Sequence, residues 1–161
     1  MDRAFLANIV LVVTATVLFY AAMTDLREFK IRNNLVLALA CLYGLYVVLV
    51  GEPWTLVLWH LGFAVVMFVV LLFFYAQNWL GGGDVKILTV CFLWVGITYA
   101  LPFTILLLVF ACGYVIMAEK FEWVRVRHTA RGRKVPYAPL VAAALICVFV
   151  LKFFMLRANG I

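Results

Sequence analysis

The sequence predicts an all-α integral membrane protein, a bundle of about six transmembrane helices forming one domain over residues 1–161. Three observations predict it. Composition is the first: 69% of the residues are hydrophobic and 12% charged, against about 45–50% and about 25% in soluble domains. A 161-residue globule cannot bury that much apolar surface, and a disordered chain is poor in apolar residues. The second is that the apolar residues fall in long runs with short polar breaks. Six helices of about 20 residues use roughly 120, which leaves only short connections. The third is the placement of charge. A net charge of +6 on a soluble protein would suggest nucleic acid. Here Lys and Arg gather in a few loops, as they do on the cytoplasmic side of membrane proteins, and no nucleic-acid partner is expected.

The first run is Ala4 to Met23, closed by Thr24-Asp25. A removable signal peptide is the rival reading, but the run is long for one and leads directly into another span. The second run, Leu35 to Val50, stops at Gly51-Glu52-Pro53, a turn-forming cluster. The third is Trp54 to Ala76, and the last is Tyr137 to Met155. Between them lies Ile87 to Ala118, 32 residues without a charge. As one straight helix it would be about 48 Å long, too long for a core of about 30 Å. Gly96 and Pro102 offer a turn near its middle.

Charge decides between one span and two. With two, Arg27, Lys30, Arg32, Lys86, Lys120, Arg125, Arg127, Arg131, Arg133 and Lys134 all fall inside, and only Arg3, Lys152 and Arg157 outside. With one, the most basic loop would face away from the other inner loops. The positive-inside rule favours six spans with both termini outside. Cys41, Cys91, Cys112 and Cys147 each sit in an apolar run without C-x-x-C spacing and are expected to be small buried hydrophobes. Trp54, Trp79 and Trp123 near span ends fit interfacial belts. His60 and His128 lack metal-ligand spacing and are expected to be structural. No metal or other cofactor is expected.

The chain has seven acids: Asp2, Asp25, Glu28, Glu52, Asp84, Glu119 and Glu122. Asp25 ends span one, and Asp84 begins span four after Gly81-Gly82-Gly83, so both fall near the same membrane face. A carboxylate there needs water, a cation or another polar group. A structural account is available for each: Asp25 solvated beside Arg27, and Asp84 an N-cap. The functional account is a pair. Two carboxyls that share a proton hydrolyse peptides, one ionised to take a proton from water, the other protonated to polarise the carbonyl. Glycines beside Asp84 permit close backbone approach and positive φ. A phosphate loop is excluded, because the run lacks G-K-[ST] and Asp84 would repel phosphate.

Gly81-Gly82-Gly83-Asp84-Val85-Lys86 resembles the G-x-G-D motif of the type IV prepilin peptidases, with its following Lys. Thr24-Asp25-Leu26-Arg27 through Asn33-Asn34-Leu35 is similar to the family's first aspartate motif, where Arg32 stands in place of the usual Pro. Val135-Pro136-Tyr137-Ala138-Pro139 resembles its Pro-aromatic-x-Pro lead into the last span. The size, and the lack of an N-terminal cysteine-rich part, resemble the short CpaA/TadV-like enzymes of Flp/Tad pilus systems.

The resemblance implies an aspartic endopeptidase of the bacterial inner membrane. Such enzymes cut the basic leader from prepilins at the cytoplasmic face while the pilin's N-terminal helix stays in the bilayer. It implies Asp25 and Asp84 as catalytic residues, and places Gly81, Gly83, Lys86 and Asn33 at motif positions near substrate. Lys86 either holds Asp84 ionised or snorkels to headgroups. The basic loop 119–134 is expected to grip anionic lipid, and Glu119 and Glu122 to be available to a leader's Lys or Arg. The rival functions are a presenilin-like protease cutting within the bilayer, a small proton-coupled transporter using Asp25 and Asp84 as a relay, and a structural assembly protein. The second aspartate motif of presenilin-like enzymes differs from this one, a transporter often carries internal repeats, and an assembly protein needs no pair of acids.

Overall fold

A computed structural model describes residues 3–28, 31–120, 127–129, 132–134 and 137–158. Five helices follow in order: α1 (Arg3–Glu28), α2 (Asn33–Val50), α3 (Trp54–Ala76), α4 (Gly82–Lys120) and α5 (Ala138–Ala158). A short antiparallel pair, β1 (Arg127–Thr129) and β2 (Gly132–Lys134), sets Arg127 opposite Lys134. The expectations for Asp2, Glu122, Trp123, Arg125, Arg131 and Pro136, and for the side chains of Glu119 and His128, lie outside the described residues.

Local chemistry sets the ends of the helices. α2 stops at Gly51, whose φ of 74° is the left-handed conformation that glycine adopts without strain. Its N–H returns to the Val47 carbonyl at 3.0 Å. α3 starts after Pro53 and ends where Asn78 turns left-handed at φ 61°. There the Trp79 N–H reaches the Phe74 carbonyl at 3.0 Å, so the last turn of α3 is closed within the chain. α1 runs a turn beyond the expected Met23, which brings Asp25 into the helix.

Leu18, Leu39, Ile87, Phe103, Val141 and Leu145 are the sealed centre, drawn from α1, α2, both halves of α4, and α5. α5 packs against both α1 and α4, α3 against α4, and α2 against α1 and α4. The outward faces are as apolar as the inside: Val12, Phe19, Val48, Leu58, Trp59, Val65, Val69 and Leu108 are all exposed. No soluble monomer presents a surface of that kind. Four helices, Phe5–Glu28, Asn33–Val50, Trp54–Ala76 and Gly82–Met117, are long and apolar enough to cross a membrane. The cysteine expectation is corrected here. Cys91 is buried, but Cys41 and Cys112 are exposed and Cys147 is half-buried. A small apolar side chain has no need of the protein core when the surroundings are apolar.

The expectation of about six helices becomes five among the described residues, because 82–120 is one element with a break inside it. The break is Gly96, at φ 59° and ψ −171°, while Pro102 stays within the helix. In a straight helix Phe92 and Phe103 would be about 16 Å apart along the axis, yet their ring centroids lie 5.3 Å apart, edge to face. The chain therefore bends sharply at Gly96, and the far half of α4 packs beside the near half.

Candidate active site

Asp25 sits in the last turn of α1 with 4% of its surface exposed. Burying a carboxylate is costly unless a donor meets it. The donor is the backbone N–H of Ala138, which bonds Asp25 Oδ2 at 3.0 Å. Ala138 opens α5, so its N–H has no partner within its own helix. Packing α5 on α1 satisfies two groups at once.

Asp84 is the third residue of α4 and is half-buried. The Gly81 N–H donates to its Oδ2 at 3.1 Å, and the Val85 N–H donates to the Gly81 carbonyl at 3.1 Å. This corrects the N-cap account. Gly81 holds the cap position, and Asp84 reaches back to it, the return half of a capping box. Its carboxylate stands at the positive end of the helix dipole.

Each motif glycine meets a different neighbour. A Cβ on Gly81 would lie 2.7 Å from Asp84 Oδ2, so only glycine leaves room for that carboxylate. A Cβ on Gly83 would lie 3.2 Å from the Cβ of Ile31, in the connection between α1 and α2. On Gly82 it would meet Tyr75 at 3.5 Å, an ordinary contact. The positive φ expected for the run is not seen there; among the described glycines only Gly51 and Gly96 have it. Close packing, not backbone handedness, calls for these glycines.

A second tie crosses the same gap. Lys86 Nζ donates to Asn33 Oδ1 at 3.0 Å, so Lys86 braces the start of α4 against the start of α2. Arg32, which stands where the resemblance expects proline, has φ −77° and ψ 134°. That is backbone proline also adopts, so a proline at residue 32 would fit the same φ. The Arg32 side chain pairs with Glu28 at 3.5 Å on the surface, a contact worth little.

Two tyrosines complete the surroundings. Burial pushes the Tyr137 phenol above its ordinary pKa, and the negative charge of Asp84 pushes it the same way. Tyr137 therefore remains a neutral O–H donor at working pH. It precedes Ala138, whose N–H bonds Asp25, and lies within electrostatic reach of Asp84. Tyr114, on the far half of α4, lies within electrostatic reach of Asp25. The sequence held a signal for Tyr137 in its Pro-aromatic-x-Pro setting. It held none for Tyr114, one aromatic in a long apolar run.

Asp25 and Asp84 thus lie at the same end of an apolar helix bundle, Asp25 tied to the start of α5 and Asp84 next to the glycine that faces the α1–α2 connection, in a membrane-embedded protein. The model of the type IV leader peptidase family, Peptidase_A24, matches residues 12–117, well over half of the chain, and the chain belongs to that family. Membership implies an aspartic-type peptidase acting on prepilins. Asp25, Asp84 and the glycine run all lie in the matched region, and α5 lies beyond it. No curated protein and no solved structure matches the chain.

Proposed function

We propose that the protein removes the basic leader of a Flp-type prepilin at the cytoplasmic face of the bacterial inner membrane, with Asp25 and Asp84 as the catalytic pair. The observation that carries this reading is that both acids stand at one end of the bundle, Asp25 bonded by the start of α5 and Asp84 at the start of α4, which Lys86 ties to the start of α2. One carboxylate, ionised, takes a proton from a water whose oxygen attacks the scissile carbonyl carbon. The other carboxyl gives its proton to the carbonyl oxygen. When the tetrahedral intermediate collapses, the C–N bond breaks and the leaving amine takes a proton from the dyad. Asp84, at a helix N-terminus, is suited to the ionised role. The pilin's apolar segment remains in lipid, and the two halves of α4 count as two short passes, giving six in all. The basic loop 119–134 holds anionic lipid on the same side. Co-expression with a candidate prepilin tests the reading: a leader-sized drop in pilin mass supports it, and unprocessed prepilin beside abundant enzyme overturns it.

Orientation has its own test, which rests on ten inner against three outer basic residues. In a background without the native cysteines, Thr129→Cys is expected to be shielded from an impermeant thiol reagent applied to intact cells, and Glu52→Cys to be labelled. The opposite pattern places the site on the other face.

The Lys86–Asn33 tie is exposed and braces the start of α4 against the start of α2. Lys86→Met is expected to slow processing by about threefold to tenfold, in line with the loss of one exposed hydrogen bond of about 0.5–1.5 kcal/mol. Membrane abundance should be unchanged. The processing rate per enzyme is the measurement, and a loss as deep as that of Asp84→Asn would assign Lys86 to the chemistry instead.

A further inference from the structure

The break in α4 has a partner that the peptidase chemistry does not use. A break between two helical passes frees backbone groups, which need protein groups to meet them wherever water does not. At Gly96 the partner is His60 of α3. A Cβ at residue 96 would overlap the His60 ring, with Nε2 the nearest atom. The left-handed φ of 59° adds a second demand for glycine. The ring also reaches the backbone carbonyl of Leu93, one turn before the break.

On its other side His60 is held by α2. Its Nδ1 lies 3.0 Å from the Tyr43 hydroxyl, and the two rings stack with centroids 6.2 Å apart. With the Tyr43 O–H donating to Nδ1, the ring's remaining N–H faces the carbonyls of α4. Trp94, beside the break, packs edge-on against Tyr43 at 5.5 Å, and its Nε1–H donates to the Leu39 carbonyl at 3.0 Å. A polar chain thus runs from α2 through α3 to the bend in α4. It lies roughly 18 Å along the helix from Asp84 and does not touch the acids.

We propose that His60 is a positioning residue of the peptidase: seated in the break at Gly96 and held by Tyr43, it sets the reversal of α4 that lays the far half against the near half, on which Asp84 stands. The proposal rests on the reading of Asp25 and Asp84 as the catalytic pair. Without the ring, the freed carbonyls lose a donor and the far half of α4 loses its fixed angle. The near half that carries Asp84 then loses the fixed support of Phe103 on Phe92.

The test uses the full-length protein in lipid, with wild type, Asp84→Asn, His60→Leu and His60→Gln compared. Leu fills space and has no polar atom, whereas Gln keeps a donor and an acceptor. His60→Leu is expected to lose about tenfold or more in kcat on a prepilin substrate with KM within about twofold, and His60→Gln to recover most of the loss. Amide exchange over residues 93–101, measured without substrate, is expected to be about fivefold faster or more in His60→Leu and near wild type in His60→Gln. Wild-type kcat and exchange in His60→Leu overturn the proposal, as does an equal loss in both variants, which would leave the ring as packing alone. If wild type fails to cut prepilin, the dyad reading fails, and the exchange measurement still decides the His60 part by itself.

Discussion

Asp25→Asn and Asp84→Asn are each expected to reduce prepilin processing by about a hundredfold or more, the scale of removing a general acid or base. Both proteins should still insert and accumulate. Asn keeps the size of Asp and one acceptor oxygen, so the bonds from Ala138 to residue 25 and from Gly81 to residue 84 have a partner in either variant. What Asn lacks is a proton it can exchange. Glu119→Gln and Glu122→Gln serve as controls and should lose far less. The measurement is the processing rate of matched membranes on one prepilin. Near wild-type processing by either Asn variant removes that residue from the mechanism.

Substitutions in the glycine run should separate by position. Gly81→Ala places a Cβ 2.7 Å from Asp84 Oδ2, so the carboxylate must leave the Gly81 N–H or the helix start must shift. A loss of about a hundredfold is expected, near that of Asp84→Asn. Gly83→Val puts a branched side chain where the Cβ position already lies 3.2 Å from Ile31. It should push the α1–α2 connection away and lower activity strongly. Gly82→Ala meets only an ordinary contact with Tyr75 and should keep most of the activity. All three are to be compared as rate per enzyme in the membrane. Equal, high activity in all three would make the run a plain connector.

Much of the site was legible in the sequence because two signals coincided. Asp25 and Asp84 are acids at the ends of apolar runs, and charge in such places is costly enough to stand out. The Lys86–Asn33 contact was not legible in kind. Motif position brings attention to both residues, but which group a long Lys side chain meets depends on how α4 lies against α2. The Asp84 hydrogen bond differed for a similar reason. Helix ends read from sequence are uncertain by a residue or two, and the true start at Gly82 turns an expected N-cap into a residue that reaches back to the cap.

Composition and hydropathy by themselves determined the membrane class and the approximate apolar runs, because about 20 apolar residues have few other uses than crossing a bilayer. They also brought two aspartates to one face through the order of spans and the asymmetry of charge. Tertiary structure alone decided what surrounds those acids. The Ala138 N–H at Asp25 and the Asn33 amide at Lys86 come from segments more than a hundred and about fifty residues away along the chain. It also decided that the bend of α4 falls at Gly96 and not at Pro102. A helix tolerates an internal proline when neighbouring groups re-satisfy the backbone, whereas the space His60 occupies and the left-handed φ at residue 96 leave glycine as the one residue that fits. Long-range contacts of this kind have no local signature, since they depend on which faces pack together and not on what each face is made of.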